Sequence, residues 1–365
     1  MENRYHQLVA KLQKIQEEST WKNAAYFLRQ FHLEKAIHDS ETIHNQVKGD
    51  LNIPNVVRAL GLHYHLNQLA MLNFFLLQKK AANLAIPEFI LPMLEEDSLP
   101  SKFLEESPLV KINYEIFRLL KKNRLEFEDI QSLFQVLRFH EKKLDQESLR
   151  EFFTYLRNLC SLALSQDMEK FELEFILHDL YRDNLKRGYL HYEGKLHPSR
   201  YWAVSSNAVR VKEFDWALDF IEKYKLELID ENETQDIYRL NLANYLFGIG
   251  CFSECLANIP PTSPFVDYLL AGKRLEIKAY YELHSDLFSF KLEAFKVFLS
   301  RTSPKLLSET QKQIHVDFAN LLTQISTSLP GDPKRSNLLI SRIQEKKQAA
   351  EWRWLLEKAK ALKSP

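Results

Sequence analysis

The stretch LREFFTYLRNLCSLAL, residues 149–164, decides the fold class of this chain. Eight of its apolar residues fall at offsets 0, 3, 4, 7, 10, 11, 14 and 15 from Leu149, which places them on one face of a helix. Shorter stripes of the same period begin at Ile112, Ile130 and Tyr238, and no part of the sequence shows the sustained alternation typical of strands. We therefore predict an all-α protein.

Helix-start and helix-stop signals agree with these stripes. Ser107-Pro108, Ser263-Pro264 and Asp332-Pro333 each place a side chain that can accept a backbone N–H before a proline, which has no N–H. Gly188 and Gly250 lie where helices are expected to end. The signals delimit roughly sixteen helices with short connections, so successive helices are predicted to be antiparallel.

Two segments in the second half of the chain repeat each other. Glu213-Phe214-Asp215-Trp216-Ala217-Leu218 is matched 38 residues later by Cys251-Phe252-Ser253-Glu254-Cys255-Leu256, which follows a helix carrying Leu242-Ala243. This pattern resembles the tetratricopeptide repeat, in which a helix with Leu and a small residue precedes Gly-Asp-Tyr-x-x-Ala-Leu. Ala243 and Cys255 would then allow close helix approach, and Phe252 would fill the turn. Weaker echoes, with a large residue at the small position, begin at Met168 and Leu287.

The resemblance covers about residues 165–300 and implies antiparallel helix pairs stacked into a right-handed α-superhelix, a TPR-like solenoid. The first helices of such repeats line a concave groove for a protein or peptide. The chain is also similar to uncharacterised bacterial helical-repeat proteins, a likeness that carries no activity with it. Apart from any family, stacking lets each helix pair bury a stripe that it cannot bury alone.

Three regions are predicted. Residues 1–97 form an N-terminal helical bundle or the first part of the superhelix, residues 108–330 form the repeat array, and residues 331–365 form capping helices. The segment 95–108 is the expected linker. The predicted helix over 54–82 is apolar on nearly every side around residues 69–77, which predicts either burial within the chain or a homo-oligomer interface.

Composition restricts the function. Only 8 of 365 residues are glycine and no GxGxxG or GxxxxGK[ST] motif occurs, which argues against a phosphate-binding loop. The 49 basic and 49 acidic residues balance, so general nucleic-acid binding is disfavoured. Residues 331–365 hold nine Lys or Arg and four Asp or Glu, which indicates either a solvated helix face or a local basic patch.

No motif nominates a catalytic, cofactor or metal site. Cys251 and Cys255 lie four apart, unlike the CxxC of redox or zinc sites. Glu174 and His178 share a helix face, but a metal needs three or four ligands. The first sixteen residues lack the apolar core of a signal peptide, and the run at 69–77 is shorter than the roughly 20 residues of a membrane helix. A cytoplasmic protein without enzymatic activity is expected.

Asparagines nominate the binding site. Asn241 and Asn244 lie on the predicted groove side of their helix, and each amide offers a donor and an acceptor. In tetratricopeptide proteins that hold peptide ends, asparagines at corresponding positions bond the ligand and basic residues in neighbouring repeats accompany them. A structural asparagine bonded to an adjacent helix is the alternative. The further candidates are Ser206, Arg210, Arg239, Lys278 and Trp354, the last either a partner anchor or packed on the preceding helices.

The predicted function is a scaffold or adaptor that binds a protein or peptide in the concave groove without a cofactor. A regulatory receptor, whose helical array changes pitch when a ligand binds, is one alternative. An RNA-binding helical repeat is another, and it would need a basic inner face.

Overall fold

The computed structural model describes residues 2–19, 21–45, 49–82, 85–95, 99–166, 169–229, 234–263 and 265–364. Helices make up 78% of the structure, with eighteen α-helices and one two-stranded hairpin in the described part of the chain. The predicted all-α class is confirmed. The chain forms two compact units, Met1–Leu159 (unit 1) and Cys160–Pro365 (unit 2).

Unit 1 is organised around one long helix, α3, which packs against α2 and α6. Asn73 of α3 is buried and its amide donates to the carbonyl of Asn113 on α6 at 2.9 Å. Because the division between the units lies within α8, the segment 95–108 is not their boundary; residues 96–98 of it lie outside the described residues. The helices are α1 (Glu2–Glu17), α2 (Ala24–Asn45), α3 (Ile53–Ala82), α4 (Leu91–Glu95), α5 (Ser101–Glu106), α6 (Pro108–Lys121), α7 (Phe127–His140) and α8 (Gln146–Gln166).

Within unit 2 every helix from α9 to α18 packs on the next one in the chain, and α10, α12 and α14 also contact in succession. A short hairpin, which the period analysis missed, precedes α10. The elements are α9 (Phe171–Lys186), β1 (His191–Tyr192), β2 (Lys195–Leu196), α10 (Pro198–Arg210), α11 (Phe214–Tyr224), α12 (Thr234–Gly248), α13 (Phe252–Asn258), α14 (Val266–Glu282), α15 (Leu287–Arg301), α16 (Glu309–Ser326), α17 (Pro333–Glu345) and α18 (Trp352–Ala361).

The same turn closes α10, α12 and α14. In each, one residue has a left-handed backbone, with φ of 64° at Lys212, 84° at Gly250 and 50° at His284. Its N–H bonds the carbonyl three residues back, and the next N–H bonds the carbonyl five residues back, as in the Schellman motif. The repeat seen in the sequence therefore corresponds to a repeated backbone conformation between paired helices.

Small residues let the α12–α13 pair approach closely. Ala243 and Cys255 are both fully buried in one apolar cluster, and Phe252 packs against it with its ring 5.2 Å from that of Phe247. Burial raises the pKa of the Cys255 thiol to about 12 against a weaker opposing effect of the Lys278 charge, so the thiol is neutral and acts as a packing group. The predicted packing roles are confirmed.

Two of the three predicted proline starts can be checked. The Ser107 hydroxyl accepts from the N–H of Val110 at 3.3 Å, and an Asp332 carboxylate oxygen accepts from that of Arg335 at 2.9 Å. Pro108 and Pro333 are the first residues of their helices, as predicted. Pro264 lies outside the described residues.

The long helix α3 is buried on one side only. Ala59, Leu62 and Leu66 are at most 5% exposed, whereas Val57 and Met71 are 61% and 67% exposed. The prediction of complete burial within the chain is therefore wrong for one face of this helix.

Candidate functional site

A cleft of about 390 Å³ lies in unit 2 between the first turns of α10, the first half of α14 and the beginning of α16. We call it the α14 cleft. Its walls combine three aromatic rings with hydrogen-bonding side chains. Its lining residues are His197, Pro198, Ser199, Trp202, Phe265, Asp267, Tyr268, Leu270, Ala271, Arg274 and His315.

The α10 wall is fixed by a helix cap. Nδ1 of His197 accepts the backbone N–H of Ser199 at 3.2 Å and lies 2.8 Å from the Ser199 hydroxyl. An accepting Nδ1 places the proton of the neutral ring on Nε2. Trp202, one turn further along α10, approaches Tyr268 of α14 with ring centroids 6.2 Å apart. The two helices thus form an aromatic wall with polar groups at one end.

Arg274 supplies the positive charge of the α14 cleft. Its Nε donates to a carboxylate oxygen of Glu351 at 3.1 Å, and Nη1 lies 3.3 Å from Nδ1 of His315. Because a guanidinium has no acceptor, His315 must accept through Nδ1. Burial, together with the Arg274 charge and against the weaker effect of Glu351, lowers the pKa of His315 to about 4. The imidazole is therefore neutral at physiological pH.

Glu351 connects the cleft to the start of α18. It bridges Arg274 and Lys278, whose Nζ lies 2.6 Å from the second carboxylate oxygen. Burial alone would raise the pKa of Glu351, but the charges and hydrogen bonds of Lys278 and Arg274 outweigh burial and hold that pKa at about 2. Glu351 also adopts the left-handed backbone region, with φ of 57° and ψ of 26°, which is uncommon for a residue other than glycine.

Three of the predicted binding residues, Arg210, Lys278 and Trp354, take part in the charged contacts around the start of α18. Arg210 and Arg353 both bond Glu174 of α9, at 3.0 and 2.6 Å, and the Arg353 guanidinium also lies over the Phe171 ring. Trp354 donates its indole N–H to Glu282 at 2.7 Å. Together with Lys278, these contacts hold the start of α18 against α9 and α14, so Arg210, Lys278 and Trp354 bind carboxylates of the chain itself.

The asparagine prediction separates into a buried and a half-buried residue. Asn241 is 1% exposed; its carbonyl accepts the Ser205 hydroxyl of α10, and its amide donates to Ile237 at 2.7 Å. This placement favours the structural alternative, because both polar ends of the side chain are satisfied within the fold. Asn244 is half-buried on α12, three residues further along.

The last two predicted residues lie away from the cleft. Arg239 donates to the carbonyl of Ala257 at 3.0 Å, which satisfies an acceptor at the end of α13. Ser206 is 6% exposed, and its hydroxyl has no hydrogen-bond partner among the described residues.

Sequence reasoning missed Trp202, Tyr268, Arg274 and His315. These residues lie on three helices, and Arg274 and His315 are 41 positions apart. No local spacing joins them. The only signal for this site in the sequence was Arg274 itself, an arginine on the inner helix of a predicted pair.

The basic excess near the C-terminus is largely engaged within the protein. Six of the nine Lys and Arg residues in 331–365 bond other side chains of unit 2, which favours a structural interpretation over a nucleic-acid patch. They are Arg335, Arg342, Lys346, Lys347, Arg353 and Lys358.

Comparisons with family models, with curated proteins and with solved structures found no match. The tetratricopeptide resemblance therefore stays a prediction. In the described part of the chain, no helix is long and apolar enough to cross a membrane. The residues that could be searched also contain no group of three His, Cys, Asp or Glu side chains suited to a metal ion.

Proposed function

We propose that the chain is a TPR-like helical-repeat scaffold that binds a segment of another polypeptide in the α14 cleft. One observation carries the proposal: an arginine with N–H groups to spare lies in a cleft walled by three aromatic rings. In the described part of the chain Arg274 uses two of its five N–H groups. A peptide whose apolar or aromatic side chain lies beside a carboxylate would satisfy both halves of this site.

The α14 cleft offers both of the contributions by which small clefts bind a ligand, apolar contact area and a few polar groups. Trp202, Phe265 and Tyr268 supply apolar area, which provides affinity, whereas a few placed polar groups fix orientation. Arg274 can hold a carboxylate through two parallel hydrogen bonds. Asp267 adds an acceptor for peptide N–H groups. A volume of about 390 Å³ is suited to one or two side chains.

Selection of displayed random peptides on the immobilised protein tests this proposal. Enriched peptides should carry an aromatic or large apolar residue close to Asp, Glu or a free C-terminus. Their affinity, measured by fluorescence polarisation, should fall at least about tenfold for the double variant Phe265→Ala, Tyr268→Ala, because each aromatic contact is worth 1 kcal/mol or more, roughly.

Phe290→Ala is the matched control, since Phe290 is 69% exposed on α15 and does not line the cleft. Its affinity for the same peptides should equal that of the unmodified protein. Failure to enrich any peptide, or equal binding by the double variant, would contradict the proposal.

A ligand-responsive receptor is a second candidate, favoured by the position of Glu351. This carboxylate occupies part of the Arg274 guanidinium, so a carboxylate of the peptide would compete with it. Competition would loosen the start of α18. Faster hydrogen exchange at residues 346–358 in the presence of a selected peptide would support the receptor, and unchanged exchange would leave a plain scaffold.

A further inference from the structure

The exposed face of α3 carries a regular apolar seam. Its positions alternate in spacing between four and three residues, and six of the seven side chains are apolar. Val57, Met71 and Phe74 are 61%, 67% and 57% exposed. We call this set the α3 seam; its members are Ile53, Val57, Leu60, Tyr64, Asn67, Met71 and Phe74.

Spacings of four and three give the 3.5-residue period of a coiled-coil seam. The seam runs over 22 residues, or about 30 Å at 1.5 Å per residue. The opposite side of α3 already packs on α2 and α6, with Leu62, Leu69 and Leu76 buried there. The period therefore describes a second contact face, one that the residues described in this structure leave exposed.

The charge pattern indicates what covers this face. Between residues 53 and 78 the only charged residue is Arg58, and it pairs with Glu106 of α5. Coiled coils select different partners through charges that flank the seam. The α3 seam has none to offer, whereas a second copy of the same helix meets it with no like-charge repulsion and with the same period.

The one polar residue within the seam, Asn67, is also compatible with a second copy of the chain as the occupant. Asn67 is exposed and already donates to the carbonyl of His63 at 2.7 Å, so its amide enters an interface with one group satisfied. A single polar residue in such a seam fixes the register of two helices. Phe103 of α5 packs on Gly61, where an added Cβ would lie 2.7 Å from the ring, and borders the seam on one side.

We propose that two copies of this chain associate through the α3 seam about a two-fold axis. Such an axis makes the interface self-complementary, with the same patch on both copies. When the axis runs parallel to the two helices, each seam residue faces its own counterpart, so Tyr64 faces Tyr64 of the second copy.

A charge swap at this central position tests the proposal. The full chain should sediment as a dimer, and Tyr64→Lys and Tyr64→Glu should each weaken self-association at least about tenfold, because like charges would oppose each other across the axis. An equimolar mixture of the two variants should recover a dimer, since opposite charges then meet. Phe139→Lys is the control, because Phe139 is 78% exposed on α7 and its variant should remain dimeric.

Tyr64 is 52% exposed, so circular dichroism should show both variants folded like the unmodified chain. An unmodified chain that is monomeric at every accessible concentration would overturn the proposal and point to a different protein as the occupant. A dimer that survives both substitutions would also overturn it, because the interface would then lie elsewhere.

Discussion

The helices α3 and α18 both carry apolar side chains on a second face besides the buried stripe. This second face is covered in α18 and exposed in α3. On α18 the buried stripe contains Trp352, and the off-stripe Trp354 is covered by the rings of Tyr281 and Phe318. On α3 the buried side is complete, but Met71 and its neighbours on the seam stay exposed. Each helix belongs to its own unit, and only one finds covering groups there for its second face.

The difference shows how an apolar face should be interpreted. The second face of α18 is surrounded by charges that are paired in place, with Lys358 on Glu282 and Arg353 on Glu174. The second face of α3 has no charged groups at its centre. An off-stripe tryptophan among paired charges lies in the interior of the unit, whereas the charge-free heptad face of α3 is exposed and is the interface that we propose.

Removing the buried side of α18 should have the largest effect. Trp352 is 1% exposed and its indole N–H donates to Ile343 at 2.7 Å. Trp352→Ala should lower the free energy of unfolding by about 3–5 kcal/mol, because it leaves a large cavity in the core. Urea unfolding followed by circular dichroism measures this. Trp354→Phe, which keeps one aromatic ring but loses the indole bond to Glu282, should cost less, about 1 kcal/mol. Equal losses would remove the distinction between the two faces.

Breaking the charge bridge at Glu351 should have the next largest effect. Glu351→Gln leaves Arg274 and Lys278 without their carboxylate, and Lys278 is only 6% exposed. We expect a loss of about 2–3 kcal/mol at neutral pH. Glu357→Gln is the control, because Glu357 is 71% exposed and its pairing with Lys358 contributes little.

The same bridge predicts a pH dependence. The pKa of Glu351 is held at about 2 in the folded state against 4.5 ordinarily, so its stabilisation is complete above pH 4.5 and is lost as the pH falls toward 2. The pKa of His315 is lowered from 6.5 to about 4 in the folded state. Between these values the unfolded chain binds a proton at His315 that the folded chain does not, so a falling pH favours unfolding. Stability should therefore decline in two steps below pH 6.5. The lower step should be absent in Glu351→Gln, and a persistent lower step would assign it to other groups.

The smallest effect on stability is expected at the α3 seam. Met71→Ser should change the free energy of unfolding by no more than about 0.5 kcal/mol in dilute solution, because Met71 is 67% exposed. The adjacent Leu72 is 6% exposed, and Leu72→Ser should cost several times more. A large loss for Met71→Ser would mean that this face is covered within the single chain.

Local patterns predicted the elements well. The stripe from Leu149 became α8, which spans Gln146–Gln166, and the caps at Ser107 and Asp332 hold because a cap involves only three or four neighbouring residues. The hairpin at residues 191–196 was missed because two residues per strand give no period.

The site could be predicted only in part. Lys278 and Arg210 were identified as candidate cations, but their partners Glu351 and Glu174 lie 73 and 36 positions away, and no spacing rule links them. The helical period correctly indicated which face of α12 carries Asn241. It could not indicate whether that face lines an open groove or packs tightly against another helix. The α3 seam was readable in the sequence from its four-three spacing, which the general apolar character of the helix obscured.

The turns after α10, α12 and α14 have a consequence for how such a chain changes length. The bonds that close each turn go to carbonyls of the helix that it ends, so these bonds involve no carbonyl of another helix. A whole helix pair inserted or deleted between two of these turns keeps every turn bond. The closing position is glycine at Gly250 but not at Lys212 and His284, so the turn itself does not require a glycine there.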